Sequence, residues 1–214
     1  MPILEEKDRQ KVSEILSKGM KDEVKLVVFT QEFECDFCKE TREIAEELAS
    51  INRKIAVETF DLLKDSEKAK EYGVERIPAL VVKGDGGNGV RYFGIPSGYE
   101  FSGLLEDIID ASQRKTRLSE EIVKKVRDID RDVHIQVFVT PTCPYCPRAV
   151  RTAHQMAMLN GRIKADMVES MEFPELANKF DVMAVPKIVI NEKVSFEGAL
   201  PETEFLDYVL SALS

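Results

Sequence analysis

Four cysteines are the residues of this chain whose spacing most directly predicts chemistry. They form two Cys-x-x-Cys pairs, Cys35 with Cys38 and Cys143 with Cys146. Cysteines at i and i+3 in the first turn of a helix lie about 5–6 Å apart, which suits a disulfide. The unpaired N–H groups at the helix start favour a thiolate on the first cysteine. The pattern predicts thiol–disulfide exchange, with Cys35 and Cys143 as nucleophiles and Cys38 and Cys146 as resolving residues.

Zinc binding is the main competing use of paired cysteines. Zinc-binding pairs usually follow each other within about 15–20 residues, whereas 104 residues separate Cys38 from Cys143. The two histidines, His134 in a predicted strand and His154 on the helix after the second pair, are interpreted as packing or surface residues. We therefore predict no metal site. A structural metal-binding module with inert cysteines is kept as a remote alternative.

The chain contains an internal duplication. Cys143 follows Cys35 by 108 residues, and Pro186 follows Pro78 by the same interval. In both places a β-branched residue precedes the proline and an apolar run follows it. Two landmarks that keep one offset indicate two copies of one structural unit.

Each copy is predicted to alternate strands and helices. The expected order is a helix, a strand, the cysteine pair opening a second helix, a strand, a short helix, two strands and a last helix. Ser119 is the predicted N-cap of the first helix of the second copy. The sequence thus predicts an α/β protein with two domains, 1–116 and 117–214, each with a central mixed sheet flanked by helices.

The order strand, Cys-x-x-Cys, helix and later X-Pro strand resembles the thioredoxin fold. Specifically, the chain resembles the two-domain protein disulfide oxidoreductases, or glutaredoxin-like proteins, of heat-loving archaea and bacteria. The motifs that carry the resemblance are Cys35-Asp36-Phe37-Cys38, Cys143-Pro144-Tyr145-Cys146, Ile77-Pro78 and Val185-Pro186. It implies that Pro78 and Pro186 are cis prolines opposite the active-site sulfurs. It also implies that the backbone of Ile77 and Val185 binds an extended substrate.

The resemblance implies an enzyme that reduces, forms or rearranges protein disulfides. No cofactor is expected besides the disulfides Cys35–Cys38 and Cys143–Cys146. The expected partners are protein substrates and a thioredoxin-reductase-like flavoprotein. A dedicated dithiol electron carrier between such a flavoprotein and a peroxidase or reductase is the alternative. Reaction direction and glutathione use stay open at this point.

The two sites differ in neighbouring charge. Cys35 lies between Glu34 and Asp36, and nearby carboxylates disfavour a thiolate. Cys143 lies between Thr142 and Pro144, and Arg148 follows on the predicted helix. We predict that the Cys143 thiol has the lower pKa and is alkylated faster near neutral pH.

Two further patterns are interpreted as structural. Residues 84–89 match G-x-G-x-x-G, but a predicted strand follows them rather than a helix, which indicates a hairpin turn instead of a dinucleotide site. Met156, Met158, Met167, Met171 and Met183 have spacings that favour core filling over copper binding.

Composition excludes several function classes. The net charge is −9 and no basic cluster contains interleaved aromatics, so nucleic-acid binding is not expected. No apolar run is long enough to cross a membrane or to serve as a secretory signal, so a cytoplasmic protein is expected. The charged fraction of 32% and the absence of Trp resemble heat-adapted proteins.

Overall fold

The computed structural model describes residues 3–33, 35–85 and 89–214. The chain divides into two compact units, Met1–Ile95 with Ile108–Lys115, and Pro96–Asp107 with Thr116–Ser214. Segment 96–107, which the sequence analysis counted with the first domain, thus lies in the second unit. The domain limits 1–116 and 117–214 stay a prediction. None of the helices within the described residues has the length and apolarity needed to cross a membrane.

The first unit contains a mixed sheet flanked by helices. Its described strands lie in the order β2-β1-β3-β4, with β1 parallel to β2 and antiparallel to β3, and β3 antiparallel to β4. The elements are α1 (Glu6–Gly19), β1 (Val24–Thr30), α2 (Cys38–Ile51), β2 (Ile55–Asp61), α3 (Ser66–Tyr72), β3 (Ala79–Gly84) and β4 (Val90–Phe93).

The second unit repeats this arrangement. Its described strands lie in the order β6-β5-β7-β8, with β5 parallel to β6 and antiparallel to β7, and β7 antiparallel to β8. Helix α4 begins in this unit and ends in the first. The elements are α4 (Glu100–Gln113), α5 (Glu120–Arg127), β5 (Val133–Val139), α6 (Cys146–Leu159), β6 (Ile163–Glu169), α7 (Pro174–Lys179), β7 (Lys187–Ile190), β8 (Val194–Glu197) and α8 (Glu202–Ser211).

The strands that lead into the cysteine pairs form the centre of each core. Every residue from Leu26 to Phe29 in β1 and from Ile135 to Val139 in β5 is buried. Continuous burial along a strand is typical of a sheet covered on both faces. Burial of one methylene contributes about 0.8 kcal/mol, so the burial of these apolar runs stabilises the two strands in the folded state. The chain leaves those ends directly towards Cys35 and Cys143.

Strand register brings each X-Pro bond next to the same end of the sheet. Ala79, which follows Pro78, pairs with Phe29 near the end of β1. In the second unit Lys187, which follows Pro186, pairs with Phe138 near the end of β5. The predicted order of elements is confirmed in both units, and it positions each proline beside the loop that carries the cysteines.

Three smaller predictions have mixed outcomes. The glycine-rich segment is followed by β4, so no helix opens there, while residues 86–88 lie outside the described part of the chain. Core filling was the wrong interpretation for Met171 and Met183, whose side chains are 77% and 90% exposed. Ser119 occupies the N-cap of α5, but its side chain makes no capping hydrogen bond.

Candidate active site

Both cysteine pairs are closed as disulfides. Cys35 is bonded to Cys38 and Cys143 to Cys146, and the Cα atoms of each pair lie 5.5 Å apart. Helices α2 and α6 begin at the resolving cysteines, so each nucleophile lies three residues before the helix rather than in its first turn. The four cysteines are therefore paired as the sequence predicts, at the positive ends of two helix dipoles.

Cys143 receives a hydrogen bond from the start of α6. The backbone N–H of Cys146 donates to Sγ of Cys143 over 3.1 Å. The first N–H groups of a helix have no carbonyl partner within that helix, so this donor is free to point at sulfur. Hydrogen bonds to an ionised acceptor are roughly twice as strong as neutral ones. The contact can therefore stabilise a Cys143 thiolate once the disulfide is reduced.

The first site differs in exposure and in hydrogen bonding. Cys35 is half-buried, whereas Cys143 is 7% exposed. Within residues 3–33, 35–85 and 89–214 no N–H group donates to Sγ of Cys35. Asp36 is exposed beside Cys35, and Glu34, the other carboxylate invoked from the sequence, lies outside the described residues. Both resolving cysteines are buried.

The two X-Pro segments have the same geometry. The Ile77–Pro78 and Val185–Pro186 bonds are cis, as the resemblance implied. Both prolines are buried, and their carbonyl oxygens accept hydrogen bonds from the N–H groups of Gly94 and Gly198 over 2.9 and 2.8 Å.

The residues before the prolines are half-exposed in both units. The carbonyl oxygen of Val185 lies 3.7 Å from Sγ of Cys143, so this backbone borders the sulfur that a substrate must approach. Substrate binding by Ile77 and Val185 stays a prediction.

A segment not singled out from the sequence packs around the second disulfide. Gly98 has a φ of +60°, and a Cβ there would overlap the carbonyl oxygen of Pro141. The N–H of Tyr99 donates to that same oxygen over 3.0 Å. A Cβ on Gly103 would lie 3.8 Å from Cβ of Pro147, the residue after Cys146. Segment 98–103 therefore contacts the chain on both sides of the disulfide.

Glu100 is the ionisable member of this segment. Its side chain is 1% exposed, and neither carboxyl oxygen has a hydrogen-bond partner among the described residues. The Cβ that an alanine at position 103 would add, which would border Pro147, would also lie 3.7 Å from Oε2 of Glu100. Burial raises the pKa of the Glu100 carboxyl to about 8 because the charged form loses hydration.

The sequence contained no signal for Glu100. A glutamate in the first turn of a helix is an ordinary partner of the helix dipole and is usually solvated. The burial of this carboxyl is a property of the fold, in which Gly103 of the same segment lies close to Pro147 and Arg151 of α6.

The histidines are paired with aspartates rather than with cysteines. Nδ1 of buried His154 lies 2.6 Å from Oδ2 of Asp107, whose Oδ1 accepts from the Arg151 guanidinium. Nε2 of His134 lies 2.6 Å from Oδ2 of Asp166. Among the described residues no group of three or more His, Cys, Asp or Glu side chains is arranged to hold a metal ion.

A known protein-family profile matches both halves of the chain. The profile described as Thioredoxin domain covers residues 23–106 and 133–211, more than half of the chain. The chain belongs to the thioredoxin-domain family. The two matched ranges correspond to the two copies inferred from the repeated cysteines and prolines, which confirms the tandem thioredoxin-like fold.

Two solved thioredoxin-domain structures match nearly the whole chain. A protein disulfide oxidoreductase from Aeropyrum pernix K1 is 32% identical, with a TM-score of 0.91, over 97% of this chain and 93% of that one. The alkylhydroperoxide reductase AhpF of Enterococcus faecalis (V583) is 28% identical, with a TM-score of 0.88, over 96% and 99%. The resemblance to two-domain protein disulfide oxidoreductases is confirmed. A heat-loving source stays a prediction.

Curated thioredoxin-domain relatives are longer than the match. NADH dehydrogenase of Bacillus subtilis (strain 168) is 27% identical over 81% of this chain and 32% of its own length. An alkyl hydroperoxide reductase subunit of Staphylococcus aureus (strain MRSA252) is 26% identical over 80% and 31%. The chain thus spans about a third of the length of these relatives.

Proposed function

We propose that this protein catalyses thiol–disulfide exchange with protein substrates through both of its disulfides. The proposal rests mainly on the geometry of the second site. A closed Cys143–Cys146 pair lies at a helix start, with a backbone donor on Cys143 Sγ and the half-exposed Val185 carbonyl 3.7 Å from that sulfur. In their reduced dithiol form the two cysteine pairs carry the electrons that are transferred to the substrate, and the proposal includes no other cofactor.

The first chemical step joins enzyme and substrate. A Cys143 thiolate attacks one sulfur of a substrate disulfide, a new S–S bond forms, and the other substrate sulfur leaves as a thiolate. That thiolate takes a proton from solvent. The Cys146 N–H stabilises the attacking charge, and Cys35 performs the same attack in the first unit.

The second step closes the enzyme disulfide. Cys146 loses its proton and attacks Sγ of Cys143, and the remaining substrate sulfur leaves as a thiolate. Substrate gains two electrons and two protons, and the enzyme dithiol becomes a disulfide. Buried Cys146 needs a proton acceptor. Glu100 belongs to segment 98–103, which contacts the chain on both sides of this disulfide, and its pKa of about 8 is close to that of an ordinary thiol at about 8.5. We assign Glu100 this proton transfer.

Reduction of insulin by dithiothreitol tests the proposal. We expect the protein to accelerate insulin precipitation and to expose four titratable thiols after reduction. A variant with all four cysteines changed to serine should be inactive. Inert thiols in the wild type, or stoichiometric bound zinc on metal analysis, would contradict the proposal.

A dedicated electron carrier is the second candidate. It is supported by the similarity to one relative named as an alkyl hydroperoxide reductase subunit and another named NADH dehydrogenase. In this version a thioredoxin-reductase-like flavoprotein reduces the chain, which then reduces one peroxidase or reductase. Broad activity on insulin and unrelated disulfide proteins favours the general oxidoreductase, whereas activity confined to one partner favours the carrier.

The direction of the reaction follows from the redox potentials of the two disulfides. For a two-electron couple roughly 30 mV changes the equilibrium by about 1.4 kcal/mol. Measuring both disulfides against glutathione and dithiothreitol buffers therefore decides between reduction and oxidation. We propose the cytoplasm as the compartment, because Cys-x-x-Cys pairs without further cysteines are typical of catalytic use there.

A further inference from the structure

The surfaces around the two disulfides differ in charge. Segment 31–37, which leads to and crosses the first pair, contains Glu32, Glu34 and Asp36, and the segment before Pro78 contains Glu75 and Arg76. The equivalent segments 139–145 and 182–185 contain no charged residue. Glu32, Asp36 and Glu75 are exposed, and Arg76 is half-buried.

The second copy has uncharged residues at the positions of Asp36 and Glu75, namely Pro144 and Met183. The side chain of Met183 is 90% exposed. Exposed aromatic side chains do not distinguish the sites, since Tyr145 is 70% exposed and its counterpart Phe37 is 42% exposed. The difference is therefore one of charge, and Met183 adds an adaptable side chain, since methionine fits irregular partners through its flexible thioether chain.

A bound substrate must pass these residues. The carbonyl oxygen of Val185 lies 3.7 Å from Sγ of Cys143, so a peptide whose cysteine is bonded to Cys143 runs along segment 183–185. Strand register gives segment 75–77 the equivalent place in the first unit, since Ala79 pairs with Phe29 as Lys187 pairs with Phe138. We therefore expect Met183 and Glu75 to contact the residues next to the substrate cysteine.

We propose that the two disulfides select substrates by charge. The Cys35–Cys38 site takes extended segments with lysine or arginine beside the cysteine, and the Cys143–Cys146 site takes segments with uncharged apolar residues there. This inference rests on the proposed function and names its substrate classes. Glu75 and Met183 are the specificity-determining pair, one for each site.

Two single-site variants test the inference. Cys143→Ser with Cys146→Ser leaves only the first site, and Cys35→Ser with Cys38→Ser leaves only the second. Each reduced variant is mixed with three synthetic peptide disulfides of equal length, in which lysine, glutamate or leucine flanks the cysteines. The measured quantity is the second-order rate of peptide reduction. The net charge of −9 acts on peptides in both variants, so the comparison between variants isolates the local effect.

The first-site variant should reduce the lysine peptide about 3–10-fold faster than the glutamate peptide at low salt. This ratio should approach one in 1 M NaCl, where the Debye length is about 3 Å. The second-site variant should favour the leucine peptide and show a lysine-to-glutamate ratio within about twofold of one. Equal ratios in both variants overturn the charge selection.

Exchanging the paired residues makes the test specific. Glu75→Met in the first-site variant should lower the lysine-to-glutamate ratio about 2–3-fold, and Met183→Glu in the second-site variant should raise it similarly. Glu14→Met is the control for loss of one negative charge far from the disulfide. Glu14 is 72% exposed on α1. Arg9 of α1 donates a hydrogen bond to Ser50, which lies at the end of α2 opposite to Cys38. The ratio for this control should not change, and a change as large as that of Glu75→Met contradicts the local role.

The outcomes separate this inference from the proposed function. Failure of both variants to reduce any of the peptides contradicts thiol–disulfide exchange itself. Reduction of all peptides with one common order of preference contradicts only the division by charge.

Discussion

The backbone N–H of Cys146 donates a 3.1 Å hydrogen bond to Sγ of Cys143. The donor belongs to the resolving cysteine, which is also joined to Cys143 by the disulfide bond. Hydrogen bonds to charged groups contribute about 1.5–3 kcal/mol, so this donor favours the Cys143 thiolate once the disulfide is reduced. The low exposure of Cys143 acts in the opposite direction, and we expect the donor and the uncharged neighbours to have the larger effect.

We therefore predict that Cys143 ionises at lower pH than Cys35. Iodoacetamide rates measured from pH 5 to 9 on reduced Cys35→Ser and Cys143→Ser variants report this difference, because only the thiolate is alkylated. The variant that retains Cys143 should be labelled faster near pH 7. Faster labelling of the variant that retains Cys35 would contradict this prediction.

Removing one resolving cysteine should trap a substrate. In Cys38→Ser and Cys146→Ser the first step proceeds but ring closure is lost at that site, so a mixed disulfide accumulates. Non-reducing electrophoresis after incubation with a disulfide-containing protein detects the adduct. The matched controls Cys35→Ser and Cys143→Ser should trap far less, since buried Cys38 and Cys146 are poorly placed to attack first. Equal trapping by all four variants would contradict the assigned order.

Glu100→Gln should slow ring closure at the second site. General-base assistance contributes typically about 10²–10⁴-fold, and we expect at least a tenfold longer lifetime of the mixed disulfide at pH 7. The effect should shrink above the thiol pKa, where Cys146 ionises without help. The lifetime is measured by stopped acid quench in the Cys35→Ser, Cys38→Ser background.

Glu204→Gln is the matched control for this prediction. Glu204 also precedes a phenylalanine, in the first turn of α8, but its side chain is exposed. Closure rates should be unchanged there. If the Glu100→Gln protein closes its disulfide at the wild-type rate at pH 7, Glu100 is not the proton acceptor.

Burial of Glu100 also predicts how stability depends on pH. Its folded pKa of about 8 exceeds the ordinary value of 4.5, so the folded state binds more protons between these values. The contribution of this carboxyl to the free energy of unfolding is fully present below pH 4.5. It is lost as the pH rises towards 8, because the unfolded chain ionises first. We expect a loss of the order of 3 kcal/mol in unfolding free energy between pH 5 and pH 8.

Urea unfolding at both pH values checks this expectation. Glu100→Gln cannot ionise, so its unfolding free energy should change less over the same range. Identical pH dependence of the wild type and the variant would show that the carboxyl does not carry the linkage.

Gly98→Ala tests the contact between segment 98–103 and the second site. The left-handed φ of +60° costs a non-glycine residue about 1 kcal/mol, and the overlap with the Pro141 carbonyl adds about 1–3 kcal/mol. Peptide reduction by the second site should fall because Pro141 lies two residues before Cys143. Gly198→Ala is the control, since its φ is +92° but nothing lies within 4 Å of the added Cβ. Thermal unfolding that ranks Gly198→Ala as the more damaging change argues against this contact.

Much of the fold could be predicted because its signals are local and repeated. Strands β1 and β5 lie before the two cysteine pairs, as predicted, since each contains a long apolar run. Disulfide pairing within each half follows from the i, i+3 spacing alone. The side chains of Met171 and Met183 were misassigned because exposure depends on what packs above a loop, and one-dimensional spacing does not record it.

The sequence by itself determined the duplication, the order of the elements, the redox pairs and the two X-Pro strands, because each depends on residue type at short or repeated intervals. Tertiary structure alone decided that Glu100, at the start of α4, is buried within the second unit. It also decided that Met183 faces solvent beside Val185. Burial and exposure of these side chains arise from contacts between residues distant in the chain, and no local pattern encodes them.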